Sequence, residues 1–217
     1  MKKIKPGYFI SFEGVDGAGK STHMARVKAK LESIGLECVQ TREPGGTPVG
    51  ESIRELVLHK SMDVNTELLL MYAARRQHVV EVIQPALARG AWVISDRFED
   101  SSFAYQAGAS GASWEDCQTL SKWALKGFEP ALTFLFDLPI EVSQQRIAQR
   151  AGQTDKFEEK PAAYFEAVRA GFIKRSQLNP RRIRLVDAMP SEEEVGMHVL
   201  AELERFLKTH CAPLGAA

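Results

Sequence analysis

The sequence predicts an α/β fold, a parallel sheet covered by helices on both faces. Three observations lead there. Short apolar runs alternate with segments of helical spacing along the whole chain. A glycine-rich loop joins the first apolar run to the first helical segment. Arginine and aspartate residues cluster just past the apolar runs, where open α/β sheets bind ligands.

Tyr8 to Phe12 is a short apolar run containing Phe and Ile, suited to a buried strand. From Lys20 to about Ile34 the spacing becomes helical, with Met24, Val27 and Leu31 on one face, and Gly35 ends it. Leu36 to Thr41 reads as a second strand. A Pro-Gly-Gly turn at 44–46 leads into a helix containing Ile53, Leu56 and Val57. A long helical stretch follows, roughly Thr66 to Leu87, closed by Gly90. Trp92 to Ser95 is a strand that ends on Asp96. Further along, Trp114 to Leu125 is helical, Leu132 to Phe136 is a strand, and Val142 to Arg150 is a helix. A polar segment, 151–160, precedes a helix from about Pro161 to Ser176. A strand at Ile183 to Val186 and a helix from Ser191 to Leu207 finish the order. Neither an internal repeat nor a linker interrupts it. One domain spanning 1–217 is expected.

Composition narrows the partners. The 217 residues carry no net charge, so the global field attracts neither nucleic acid nor a membrane surface. The Arg-Arg-Ile-Arg run at 181–184 and the Glu triplet at 192–194 read as solvated faces. Three widely spaced cysteines, without a Cys-x-x-Cys pair, exclude a disulfide framework and argue against a zinc site. The N-terminal Met-Lys-Lys-Ile-Lys lacks a following long apolar run, and no membrane span is read. A cytoplasmic location is expected.

The chemistry begins at Gly14-Val15-Asp16-Gly17-Ala18-Gly19-Lys20-Ser21, followed by Thr22. The string matches G-x-x-x-x-G-K-[ST] in its strand-to-helix context. Without side chains in the way, successive backbone N–H groups converge on phosphate oxygens, and the helix N-terminus adds its positive end. Lys20 reaches the β/γ-phosphates, and Ser21 is a ligand for Mg²⁺. ATP and Mg²⁺ are the implied cofactors. No Asn-Lys-x-Asp motif is present, so a guanine-reading GTPase is disfavoured.

A kinase for small acceptors needs a second anion site facing the first. Three segments supply one: Thr41-Arg42-Glu43-Pro44-Gly45-Gly46-Thr47, Met71-Tyr72-Ala73-Ala74-Arg75, and Asp96-Arg97-Phe98 through Ser101-Ser102-Phe103-Ala104-Tyr105-Gln106. Positions 71 and 75 share a helix face. Arginines at strand ends hold phosphates bidentately.

Together with the P-loop, these segments resemble the thymidylate kinase family across nearly the whole chain. The resemblance implies a nucleoside-monophosphate-kinase-like parallel sheet with a short lid at about 150–160. It implies transfer of the γ-phosphate of ATP to dTMP, giving dTDP, with Mg²⁺ and as a homodimer. Carried over position by position, Asp16 matches the carboxylate near the acceptor's 3′-hydroxyl, and Arg42 and Arg97 match the arginines that hold phosphates. Arg75 matches the residue that reads thymine. Ser101, Ser102, Tyr105 and Gln106 match the base and sugar pocket, and Asp96 is placed to organise Mg²⁺ and its waters.

Two departures stand out. Where the family usually stacks Phe on thymine, this chain has Met71. Gly17 occupies the place of a P-loop arginine found in some members, as in the bacterial subtype that draws its cation from the lid. Arg150 and Lys156 are the lid candidates, and Arg146, a turn earlier, is read as helix surface. Two other readings stay open on the sequence: a kinase for a different nucleotide, and a nucleotide-binding regulatory module.

Overall fold

The computed structural model describes residues 7–149 and 160–211. Five parallel strands form its sheet: β1 (Phe9–Glu13), β2 (Cys38–Arg42), β3 (Trp92–Asp96), β4 (Leu132–Asp137) and β5 (Ile183–Asp187), in the spatial order β2-β3-β1-β4-β5. Side chains of a strand alternate between faces, and this alternation divides the core in two. Ile10, Phe12 and Ile94 join one cluster with Met24, Val27, Leu31, Val168 and Val199. Phe9 and Val93 join another with Leu68, Tyr72, Ile83 and Leu125. Helices therefore cover both faces, as expected from the apolar, two-sided strands.

Helix α1 (Lys20–Ser33) buries Met24, Val27 and Leu31 at the expected spacing, and Gly35 follows it at φ 81°. Helix α2 (Pro48–His59) starts where the Thr47 hydroxyl accepts the Gly50 N–H at 2.9 Å. Asp63 caps α3 (Val64–His78) by accepting from Asn65 and Thr66. The stretch expected as one helix is continuous but not regular. Val79–Ile83 forms a π-helical turn before α4 (Gln84–Ala88). Pro85 donates no N–H and its ring crowds the carbonyl four residues back, so widening that turn accommodates it.

After β3 comes a helical segment that the sequence reading did not assign. Helix α5 (Glu99–Ser102) runs into a π-helical segment, Phe103–Ala109. Residues 99–106 are buried all round, so the polar–apolar stripe that marks a surface helix is missing. The remaining helices are α6 (Trp114–Leu125), α7 (Ile140–Ala148), α8 (Ala162–Leu178) and α9 (Glu192–His210). The Glu triplet is exposed, and the third of its residues, Glu194, forms a capping box with Ser191. The arginine run differs from expectation at one residue. Arg182 is buried, donating to Asp100 at 2.7 and 2.9 Å and to the Thr133 hydroxyl at 2.7 Å.

Register sets up the site. Phe12 of β1 and Arg42 of β2 both pair with Asp96 of β3. Strands β2, β3 and β1 thus end on one level, with the P-loop, Arg42 and Asp96-Arg97 emerging side by side.

Candidate active site

The P-loop is shaped by glycines that cannot be replaced in place. Gly14, Gly17 and Gly19 have φ of 127°, 77° and 87°. A Cβ at Gly14 would lie 2.3 Å from the Phe136 carbonyl oxygen, and one at Gly17 would lie 2.7 Å from that of Ser143. The Ser143 hydroxyl donates to the Asp16 carbonyl at 2.7 Å and pins the loop from outside. Val15 and Ala18 are buried in the core, which turns the intervening backbone outward. Lys20 is buried, and its ammonium donates to the carbonyls of Gly14 at 3.0 Å and Val15 at 2.9 Å. Burial and the neighbouring Arg97 lower its pKa, opposed by Asp16, Asp96 and Glu13. Ser21 and Thr22 are exposed in the first turn of α1. A cleft of about 370 Å³ opens here, between Gly17, Gly19 and Thr22 on one side and Arg146, Gln149 and Pro190 on the other.

A second cleft, of about 260 Å³, lies across the P-loop carboxylate. Asp16, Arg42, Met71, Asp96, Arg97, Ser101, Tyr105 and Gln106 line it. Arg97 is its hub. Its backbone is left-handed at φ 68°, unusual for a residue with a long side chain. From there one terminal nitrogen donates to the Gly14 carbonyl at 3.0 Å and the Ser101 hydroxyl at 3.2 Å. The other donates to Asp16 at 2.7 Å and the Tyr105 hydroxyl at 3.1 Å. Burial opposes ionisation of Asp16, but Arg97 and Lys20 outweigh it and hold that carboxyl well below its usual range.

What holds the left-handed turn is Glu13, at the end of β1 and fully buried. Its carboxylate accepts the Phe98 N–H at 2.8 Å and the Ser101 hydroxyl at 2.6 Å. Burial first, and Asp100 second, push its pKa up to about 8. Arg42 is half exposed and donates to Glu51 at 3.1 and 2.9 Å, while Glu51 also accepts the Gly46 N–H at 2.8 Å.

A family model described as thymidylate kinase matches residues 12–199. The chain belongs to the thymidylate kinase family. A relative named Thymidylate kinase, from Methylobacillus flagellatus, is 51% identical over 200 residues, covering 92% of this chain and 98% of its own. Another of that name, from Cupriavidus pinatubonensis, is 50% identical over 205 residues, covering 94% and 98%. The crystal structure of thymidylate kinase from Ehrlichia chaffeensis superposes with a TM-score of 0.74 at 32% identity, covering 92% of this chain and 99% of that one. Membership of the thymidylate kinase family assigns the chain the phosphorylation of dTMP by ATP, a step in dTTP synthesis.

Two residues expected to touch substrate are buried. Arg75 is only 1% exposed and does not line it. Its guanidinium donates to Glu43 at 2.6 Å, the Ser102 hydroxyl at 3.0 Å and the Phe98 carbonyl at 3.1 Å. A buried guanidinium needs such partners, and of its five N–H donors these three bonds leave two. Ser102 is fully buried for the same reason. Arg146, read as helix surface, instead lines the P-loop cleft and donates to the Ala188 carbonyl at 3.1 Å. Arg150 and Lys156 lie outside the described residues, as does almost all of the expected lid.

Sequence reasoning missed Glu13, Glu51 and His23. A carboxylate inside the apolar string Phe-Ile-Ser-Phe-Glu was a usable signal for Glu13. His23 lines the P-loop cleft, stacked on Phe136 with ring centroids 5.4 Å apart.

Among the described residues no group of three His, Cys, Asp or Glu side chains gathers to hold a metal. Mg²⁺ does not need one, because in kinases it takes one or two carboxylates and completes its octahedron with phosphates and water. Asp96 fits that role. Its Oδ1 is buried without a hydrogen-bond partner, on a residue that lines the second cleft at the end of β3.

Proposed function

We propose that the P-loop cleft takes ATP and the cleft across Asp16 takes dTMP, with Arg97 between them. The observation that carries this reading is the Arg97 fork, which ties the P-loop backbone and Asp16 to Ser101 and Tyr105 of the second cleft. Two polyanions must meet in line, so the chemistry is positioning and charge neutralisation. No base is needed, since the second pKa of a phosphate monoester is about 6 and its oxygens are already anionic near neutral pH.

The P-loop amides, Lys20 and the first turn of α1 hold the donor phosphates. Arg42 and Arg97 hold the acceptor phosphate, and Met71 covers the base. Asp16 and Tyr105 fix the sugar, while Arg75 and Ser102 brace this wall from behind. Ser21 and Asp96 would hold Mg²⁺, which would supply neutralising charge to the donor phosphates. Gly17 offers no charge, and we assign the missing cation to Arg150 or Lys156.

The chain acts as one domain over 1–217, in the cytoplasm and as a homodimer. Among the described residues no helix is long and apolar enough to cross a membrane. The dimer reading is supported by an apolar face on α3 and α6, where Leu69 is 57% exposed and Trp123 76%.

The test is ADP production by coupled assay with dTMP, dUMP, dCMP or dGMP, and with no acceptor. The reading expects turnover that depends on acceptor and is fastest with dTMP. Equal ATP hydrolysis without any acceptor would overturn it in favour of a nucleotide switch.

A further inference from the structure

Gln106 raises a problem of hydrogen-bond satisfaction. It is 2% exposed, it lines the acceptor cleft, and its Oε1 is buried without a partner in the protein. An acceptor left unmet in this way loses its water without replacement. At its other end Nε2 donates to Glu67 Oε1 at 2.9 Å. Glu67 is itself 6% exposed and lies in the first turn of α3. A carboxylate accepts only. The NH₂ end of Gln106 must therefore face Glu67, which leaves the carbonyl end on the cleft side.

Glu67 and Met71 are four residues apart, so they share one face of α3. The same face thus supplies the apolar cover of the cleft and the anchor of the amide. A wall that offers a fixed acceptor beside an apolar cover suits a planar ring with an N–H on its edge. Thymine has that group at N3. Cytosine presents a lone pair at N3 instead, and two lone pairs would then face each other.

We propose that Glu67 is a positioning residue that sets base selectivity by fixing the Gln106 amide with its oxygen toward the N3–H of thymine. The proposal rests on dTMP occupying this cleft. Sites built to hydrogen-bond a substrate group reject analogues that lack it far better than apolar pockets reject a changed shape. Selectivity here is exerted one residue removed from the base: Glu67 need not touch substrate to decide what Gln106 presents.

The experiment compares kcat/KM for dTMP, dCMP and N3-methyl-dTMP in the wild type, Glu67→Gln and Glu67→Asp. In Glu67→Gln the neighbour can donate as well as accept, so the Gln106 amide is free to turn. The dTMP-to-dCMP ratio should fall at least about tenfold, through dTMP KM more than kcat, with ATP KM within about twofold. Glu67→Asp keeps an acceptor-only partner and should retain most of the ratio, which a merely structural role for Glu67 does not predict. The wild type should use N3-methyl-dTMP poorly, a measurement independent of whether either variant folds. A ratio unchanged in folded Glu67→Gln, or N3-methyl-dTMP used as well as dTMP, overturns the proposal and leaves the dTMP assignment standing. A wild type that turns over dTMP and dCMP equally overturns that assignment and the proposal together.

Discussion

The two clefts are built by opposite means. The P-loop cleft is a backbone construction: glycines at positive φ pressed against the carbonyls of Phe136 and Ser143, on the first turn of α1. The acceptor cleft is a side-chain construction, in which Arg97, Asp16, Tyr105 and Gln106 take their places from partners far away in the chain. The difference is one of failure modes. The first cannot accept a Cβ, and the second cannot accept a changed functional group.

Removing the P-loop lysine should do the greatest damage. Lys20→Ala should fold and lose roughly a thousandfold or more in kcat, since backbone amides alone do not offset the transferring charge. Rapid-quench turnover at saturating ATP measures it, and an unchanged rate removes the P-loop assignment. On the acceptor side, Arg97→Lys keeps the charge but not the fork that reaches Gly14, Ser101, Asp16 and Tyr105. Its kcat/KM for dTMP should fall by about a hundredfold. A loss below about fivefold would mean that only charge matters there, and the contrast between the two walls would weaken.

Gly14→Ala probes the backbone wall directly. With φ at 127° and a carbonyl oxygen 2.3 Å from the new Cβ, the loop must move. Strain of this kind costs about 1–3 kcal/mol. The melting temperature should drop and ATP KM rise.

Glu13 gives a pH-dependent test of the side-chain wall. Its folded pKa is raised from 4.5 to about 8. Between those values the unfolded chain has lost the proton that the folded chain keeps, so stability falls as pH rises through the window. Chemical denaturation of Glu13→Gln from pH 5 to 9 should show a flatter profile than the wild type. An identical slope would assign the dependence to other groups. The smallest effect is expected at Met71, where a thioether–ring contact and an aromatic stack differ by about 1 kcal/mol or less. Met71→Phe should move dTMP KM by less than about tenfold and leave ATP KM alone. A larger shift would mean that the ring packs against this residue more tightly than a thioether cover implies.

That contrast also explains what the sequence made legible. The P-loop was readable because its parts lie within nine consecutive residues, and the strands because their apolar runs are short and bounded. The α5 segment was not, since its start is stabilised by no local cap. The group that accepts the Phe98 N–H is Glu13, 85 positions earlier in the chain. The burial of Arg75 was hidden for a similar reason. Its position on the helix was right, but its principal partner Glu43 sits on the turn after β2, and no helical pattern shows that the guanidinium is already engaged. Gln106 was named as a pocket residue, yet which end of its amide faces the pocket depends on Glu67, 39 residues away.

Register has a consequence for how this chain can change in length. Phe12, Arg42 and Asp96 share one level of the sheet, so β1, β2 and β3 act as rulers with a common end mark. Gaining or losing one residue inside β1, β2 or β3 would shift one mark by about 3.3 Å and turn its side chain to the opposite face. Gly35, Gly111 and Gly127 have open space where a Cβ would project. A deletion scan should therefore find the rulers intolerant residue by residue, and the turns, where only the positive φ of Gly35, Gly111 and Gly127 constrains the chain, more tolerant of changed length.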